Sequence, residues 1–137
     1  MRAAARPYGA PKDTSLTLAF VDDATMRELN RRYRGKDRTT DVLSFGQPIP
    51  AGLRGRSAVE GLARDVDGTL DLGDVVISGA QAARQARRRR RTVVSEVAFL
   101  AAHGVLHLLG FEDETPAGYR EMVRLGTAAT VGPRAKR

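Results

Sequence analysis

The stretch AAHGVLHLLGFEDET, residues 101–115, holds the only two histidines of the chain, His103 and His107, four positions apart in an apolar run, with acidic residues just after a glycine. On a helix, side chains four apart lie above one another on one face. Two imidazoles so placed reach a single ion at the ~2.0–2.1 Å of a zinc–nitrogen bond. Gly110 is a natural helix stop, and a turn beyond it brings Glu112, Asp113 and Glu114 back toward that face, with a carboxylate as third ligand. Two histidines and a carboxylate form an open catalytic set, with positions left for water and substrate. The same spacing also suits two core imidazoles hydrogen-bonded to backbone, and H-x-x-x-H alone does not decide between the readings. Gly104 stands where zinc peptidases of the H-E-x-x-H type carry their general-base glutamate, which argues against a peptidase.

Outward from this stretch, TVVSEVAFLAAHGVLHLLG (92–110) is apolar nearly all round, the pattern of a buried central helix. Before it, GAQAARQARRRRR (79–91) reads as a helix with a thin alanine side, and DVVIS (74–78) as a buried strand whose Ser78 starts that helix. Near the start, SLTLAFV (15–21) alternates with Leu16, Leu18 and Phe20 on one face, a half-buried strand. Asp22 and Asp23 open a helix in which Met26, Leu29, Asn30 and Tyr33 recur at helical spacing, and Gly35 stops it. TDVLSF (40–45) is a further strand, which Thr40 and Asp41 are placed to enter. The Gly-, Pro- and charge-rich segment 46–71 reads as a long loop or loosened hairpin. Residues 1–13 are expected to be frayed or extended, a short helix to follow Pro116, and 127–137 to form a tail. Three strands among helices give an α/β fold, a sheet with helices packed on it.

A chain of 137 residues fits one domain, 1–137, with 42% hydrophobic and 28% charged residues. No apolar run approaches the roughly 20 residues that cross a bilayer. Cysteine is absent and so places the chain in no compartment, but the N-terminus lacks the apolar centre of a secretory signal, so a cytoplasmic protein without membrane contact is expected. Net charge is +7, which favours a polyanionic partner, nucleic acid first. In the run Arg87 to Arg91, five like charges usually mark a solvated surface, and at most two or three face one strand of phosphates; Arg87, Arg88 and Arg91 are the auxiliary RNA-contact candidates. Aromatics make up only 5%, so extensive base stacking is not expected.

HGVLHLLGFEDE (103–114) resembles the signature of the YbeY family, bacterial metal-dependent endoribonucleases of ribosomal RNA maturation, whose pattern is H-G-x-L-H-L-x-G-Y-D-H. LNRRYRGKDRTTDVLSF (29–45) and LGDVVIS (72–78) resemble two further family segments, in the same order. The resemblance implies an α/β sandwich with a small mixed sheet, whose buried helix carries the first two metal ligands. They carry over to His103 and His107. The family's third ligand is a histidine, and Asp113 stands at its position, which shifts preference from zinc toward harder ions such as manganese or iron. Family members usually begin with an extra helical segment, for which there is little room before residue 15. Arg34, in YRGK, matches an arginine that the family is thought to need in its cleft, and the resemblance makes Thr40, Asp41 and Ser44 candidate lining of that cleft, with strand entry the alternative role of Thr40 and Asp41. The implied activity is cleavage of single-stranded ribosomal RNA at the 3′ end of the small-subunit species, with ribosome quality control and assembly factors as context. The alternative is a catalytically weakened RNA- or ribosome-binding module of the same fold.

Overall fold

A computed structural model describes residues 2–131. In chain order the elements are α1 (Arg2–Ala5) with a 3-10 turn at Arg6–Tyr8, β1 (Thr14–Val21), α2 (Asp23–Arg34), β2 (Val42–Phe45), α3 (Arg56–Gly61), β3 (Leu70–Ser78), α4 (Gly79–Arg88), α5 (Val93–Leu108) and α6 (Pro116–Val131). The sheet runs β1-β3-β2, with β1 parallel and β2 antiparallel to the central strand. It is a small mixed sheet with helices packed on it, as the α/β reading expects.

Helix starts follow the side chains that satisfy their free amides. Asp22 accepts from the Thr25 amide at 2.8 Å, Ser78 from Gln81 at 3.2 Å and Thr92 from Ser95 at 3.0 Å. The two sheet faces carry separate apolar clusters. On one, Met26 and Leu29 of α2 meet Leu43 and Val76. On the other, Leu100, Ala101, Val105 and Leu106 of α5 meet Leu72, Val75 and Ile77, with Ala82, Met122 and the N-terminal Ala4 and Ala5 around them. At about 1.5–3 kcal/mol per fully buried aliphatic side chain, this larger cluster dominates, so the helix bearing both histidines is the most firmly held.

Strand β3 is longer than DVVIS because of a bulge. Ser15 lies opposite Asp71 but Thr17 opposite Asp74, so β3 carries one extra residue. That shift puts Leu70 and Leu72 on the same face as Val75 and Ile77. Gly73 sits there at φ +117°, and a Cβ would strike the Phe45 carbonyl oxygen.

Gly104 lies between the two histidines and lets α5 approach the sheet. A Cβ there would stand 2.6 Å from Val75 Cγ1 and 3.1 Å from Ser44 Oγ, and the Ser44 hydroxyl donates to the Gly104 carbonyl at 2.9 Å. Gly104→Ala is expected to cost ~1–3 kcal/mol, lowering Tm by roughly 3–12 °C in a circular-dichroism melt. An unchanged Tm would mean that the packing against β2 and β3 yields freely.

Several expectations change. The helix over 79–91 stops at Arg88, and Arg89 to Arg91 form the turn that follows, with Arg90 at φ +54°. Residues 2–8 are helical rather than frayed, held because Ala4 and Ala5 are buried against α5 and α6. Segment 46–71 contains α3, with Ala58, Val59 and Leu62 buried, and Gln47 closes it by donating to and accepting from the Ala63 backbone. Phe20, expected on the buried face, is 56% exposed at the end of β1. The helix after Pro116 reaches Val131, absorbing the start of the expected tail, and 132–137 lie outside the described residues.

Candidate metal centre

Gly110 ends the histidine helix at φ +92°. Its amide donates to the His107 carbonyl at 3.0 Å and that of Phe111 to Leu106 at 3.1 Å, the paired bonds of a Schellman stop. The buried Phe111 anchors the turn, in a ring contact with Tyr8 at 5.4 Å. Glu112 then ties the next residues: its carboxylate accepts from the Glu114 amide at 2.7 Å, the Thr115 amide at 3.2 Å and the Thr115 hydroxyl at 3.1 Å. Those bonds, that from the Glu114 amide foremost, hold Glu112 below the usual carboxylate range. Its part is therefore to order the loop rather than to take a proton.

Between these anchors Asp113 points back at the helix. Its Oδ2 lies 3.1 Å from His103 Nε2 and 3.3 Å from His107 Nε2, and the imidazoles stand edge to face, 4.8 Å between centroids. One ligand atom from each of the three residues falls within 4.8 Å of the others. The cluster can hold a metal ion.

The protons test the fit. His107 Nδ1 lies 3.2 Å from the Phe111 carbonyl, an acceptor only, so this nitrogen carries the hydrogen and donates it. Neutral His107 then presents a lone pair at Nε2 toward a carboxylate oxygen, so two acceptors converge. A cation between them resolves that conflict, and the backbone bond on the far nitrogen is the support usually found behind a ligating histidine. Protonating the imidazole instead is disfavoured: burial, then the neighbouring His103, lowers the His107 pKa against the opposing pull of Asp113. Burial works to raise Asp113, but the two imidazoles that face it outweigh that and hold the carboxyl below the usual range, ionised.

Metal binding needs neutral imidazole. Because the His107 pKa lies below that of an ordinary histidine, its share of metal affinity is expected to persist at pH about 6.5 and to fall only at lower pH. Metal titrations at stepped pH check this; a loss centred above that value would contradict the burial effect.

The cluster opens on a cleft of about 540 Å³ whose walls include His107, Asp113, Tyr33, Arg34, Ser44 and Phe45. Arg34, exposed on the last turn of α2, thus shares a cavity with two members of the cluster. Asp41 instead accepts from the Val42 amide at 2.8 Å and opens β2, with the Thr40 hydroxyl 3.4 Å away. Sequence reasoning placed Tyr33 on the packed face of α2. It is 59% exposed in the cleft, its ring edge-on to Phe45 at 5.1 Å. Its helical spacing from Met26 was a signal of side, not of depth.

The arginine run stands elsewhere. Glu96, fully buried on α5, accepts from Gln85 at 3.0 Å and Arg89 at 3.1 Å, and Arg91 lies 3.6 Å from it with its guanidinium over Phe99. Arg91 is therefore tied inward, whereas Arg87 and Arg88 are exposed and form no ion pair among the described residues. From Glu96 to His107 the helix rises roughly 16 Å, so the run lies at the far end of α5 from the metal cluster.

The family model for the endoribonuclease YbeY matches residues 1–130. The chain belongs to the YbeY family. It is 43% identical over 122 residues to the Endoribonuclease YbeY of Moorella thermoacetica, covering 89% of this chain and 74% of that one. With the Endoribonuclease YbeY of Anaeromyxobacter sp. (strain Fw109-5) it shares 46% over 112 residues, 82% of this chain and 50% of the other. Among solved structures, the solution structure of TM1509 from Thermotoga maritima is similar in fold, with TM-score 0.53 at 24% identity, covering 98% of this chain and 78% of that one. Within the YbeY family frame, His103 and His107 stand on the buried helix and Asp113 on the turn that follows it.

Proposed function

We propose that this chain is a metal-dependent endoribonuclease that cuts single-stranded RNA in ribosomal RNA maturation, at the 3′ end of the small-subunit species, in the cytoplasm. The observation that carries the reading is the convergence of His103, His107 and Asp113 beside Arg34 on one cleft. His103, His107 and Asp113 would hold one divalent transition ion, zinc by family resemblance, with manganese or iron favoured by the Asp113 oxygen. When bound, such an ion supplies Lewis-acid polarisation of a phosphoryl oxygen and activation of water. Arg34 supplies a forked, always-charged partner for the phosphate as charge develops on it. Leu108 and Phe111 supply an apolar part of the cleft wall.

The binding-module alternative is disfavoured by the convergence of three ligand-type side chains, and relatives named as endoribonucleases support the catalytic reading. Among the described residues no helix is long and apolar enough to cross a membrane. The small ribosomal subunit and its assembly factors are the partners this reading implies.

Cleavage of a single-stranded RNA by metal-loaded protein, abolished by chelation and restored by the ion, is the test. Metal-loaded protein that binds RNA without cutting it would favour the binding module, and cleavage of casein instead of RNA would favour a peptidase. Arg87 and Arg88 enter as auxiliary partners for phosphate. Replacing both with alanine is expected to weaken binding alike for all sequences and to reduce the slope of log K against log salt by up to ~1.4, about 0.7 for each phosphate no longer neutralised. An unchanged slope would make them solvated surface.

A further inference from the structure

The chain has few aromatic residues, yet Tyr33 and Phe45 meet at the cleft, one from the last turn of α2 and one from the end of β2. Phe45 packs against the cluster of Met26, Leu43 and Val76 and is held from below. Tyr33 rests edge-on against it and keeps 59% of its surface in water. A packing role alone would bury that ring. Next to it in sequence, Arg34 lines the same cleft, so an aromatic ring and a guanidinium are brought to one cavity. One nucleotide offers the matching pair, a base with a π face and an adjoining phosphate.

Resting on the endoribonuclease reading, we infer that Tyr33, backed by Phe45, is the stacking platform for one unpaired nucleobase, and that it gives the site its preference for single strands. In a duplex both faces of a base are covered by its neighbours, so the ring has nothing to stack on. An unpaired base is free to leave its strand and cover Tyr33, while its phosphate meets Arg34. The platform reads the π face rather than the base edge, so it is tolerant of sequence.

The test is binding of a short single-stranded RNA, measured by rapid mixing before turnover, to the full-length metal-loaded chain. Tyr33→Ala is expected to raise Kd by about tenfold or more, since stacking of one base changes affinity roughly 5- to 150-fold, and Tyr33→Phe to bind like the wild type. An abasic residue walked along the RNA is expected to weaken wild-type binding most at one position, and to add nothing there for Tyr33→Ala. The chain has no tryptophan, so Tyr33→Trp supplies a single reporter whose emission RNA quenches on stacking. Wild-type binding by Tyr33→Ala, equal abasic penalties in both proteins, or unquenched Tyr33→Trp saturated with RNA would overturn the platform while leaving the nuclease reading standing. A wild type that binds no RNA would overturn both.

Discussion

Asp113→Ala is expected to empty the metal site and to lower RNA cleavage by at least about a thousand-fold, while the protein still folds. Changes behind a ligand already cost 10–100-fold in metal affinity, and here a ligand itself goes. What disappears with the ion is the means of activating water near neutral pH. The fold survives because Asp113 is partly exposed on a turn anchored independently by Phe111 and Glu112. Asp113→His is the informative partner. It supplies a third imidazole nitrogen on the same turn, and is expected to keep the ion and move preference toward zinc. Metal affinity and cleavage measured together on both variants check this. An alanine variant that retains metal and activity would remove Asp113 from the ligand set.

Arg34→Ala is expected to leave metal content unchanged and to lower kcat/KM by ~10²–10³, the usual consequence of deleting one donor aimed at developing charge. Arg34→Lys restores charge without the planar fork, so partial rescue is expected. The competing role is helix termination: Arg34 lies in the last turn of α2, where a cation is favoured by the helix dipole. That role predicts a small change in Tm and none in kinetics. Steady-state rates for the three proteins at equal metal loading separate the two, and wild-type kinetics in Arg34→Ala would leave only the structural role.

The centre of the molecule was legible because its signals are local. Four-residue spacing of His103 and His107, an all-round apolar helix and Gly110 as a stop specify a buried helix with two imidazoles on one face and a return toward them. What spacing could not choose was the acid on that turn. Glu112 lies nearer the helix but spends its oxygens on the loop backbone, and this leaves Asp113 to face the histidines. The bulge at Gly73 was hidden because one extra residue breaks the alternation by which a strand is recognised. Helix α1 is too short to form by propensity, and its sequence carries no record of the neighbours that bury Ala4 and Ala5. For the same reason, five consecutive arginines did not reveal that Glu96, several residues later, draws two of them inward.

The most direct test is the metal content of untagged protein, measured by elemental mass spectrometry for the native chain and for His107→Ala. About one equivalent of a transition metal per native chain, absent from His107→Ala, is the predicted result. No metal in the native chain, even after reconstitution with zinc, manganese and iron, would contradict the account and make His103, His107 and Asp113 a hydrogen-bonded cluster instead of a metal centre.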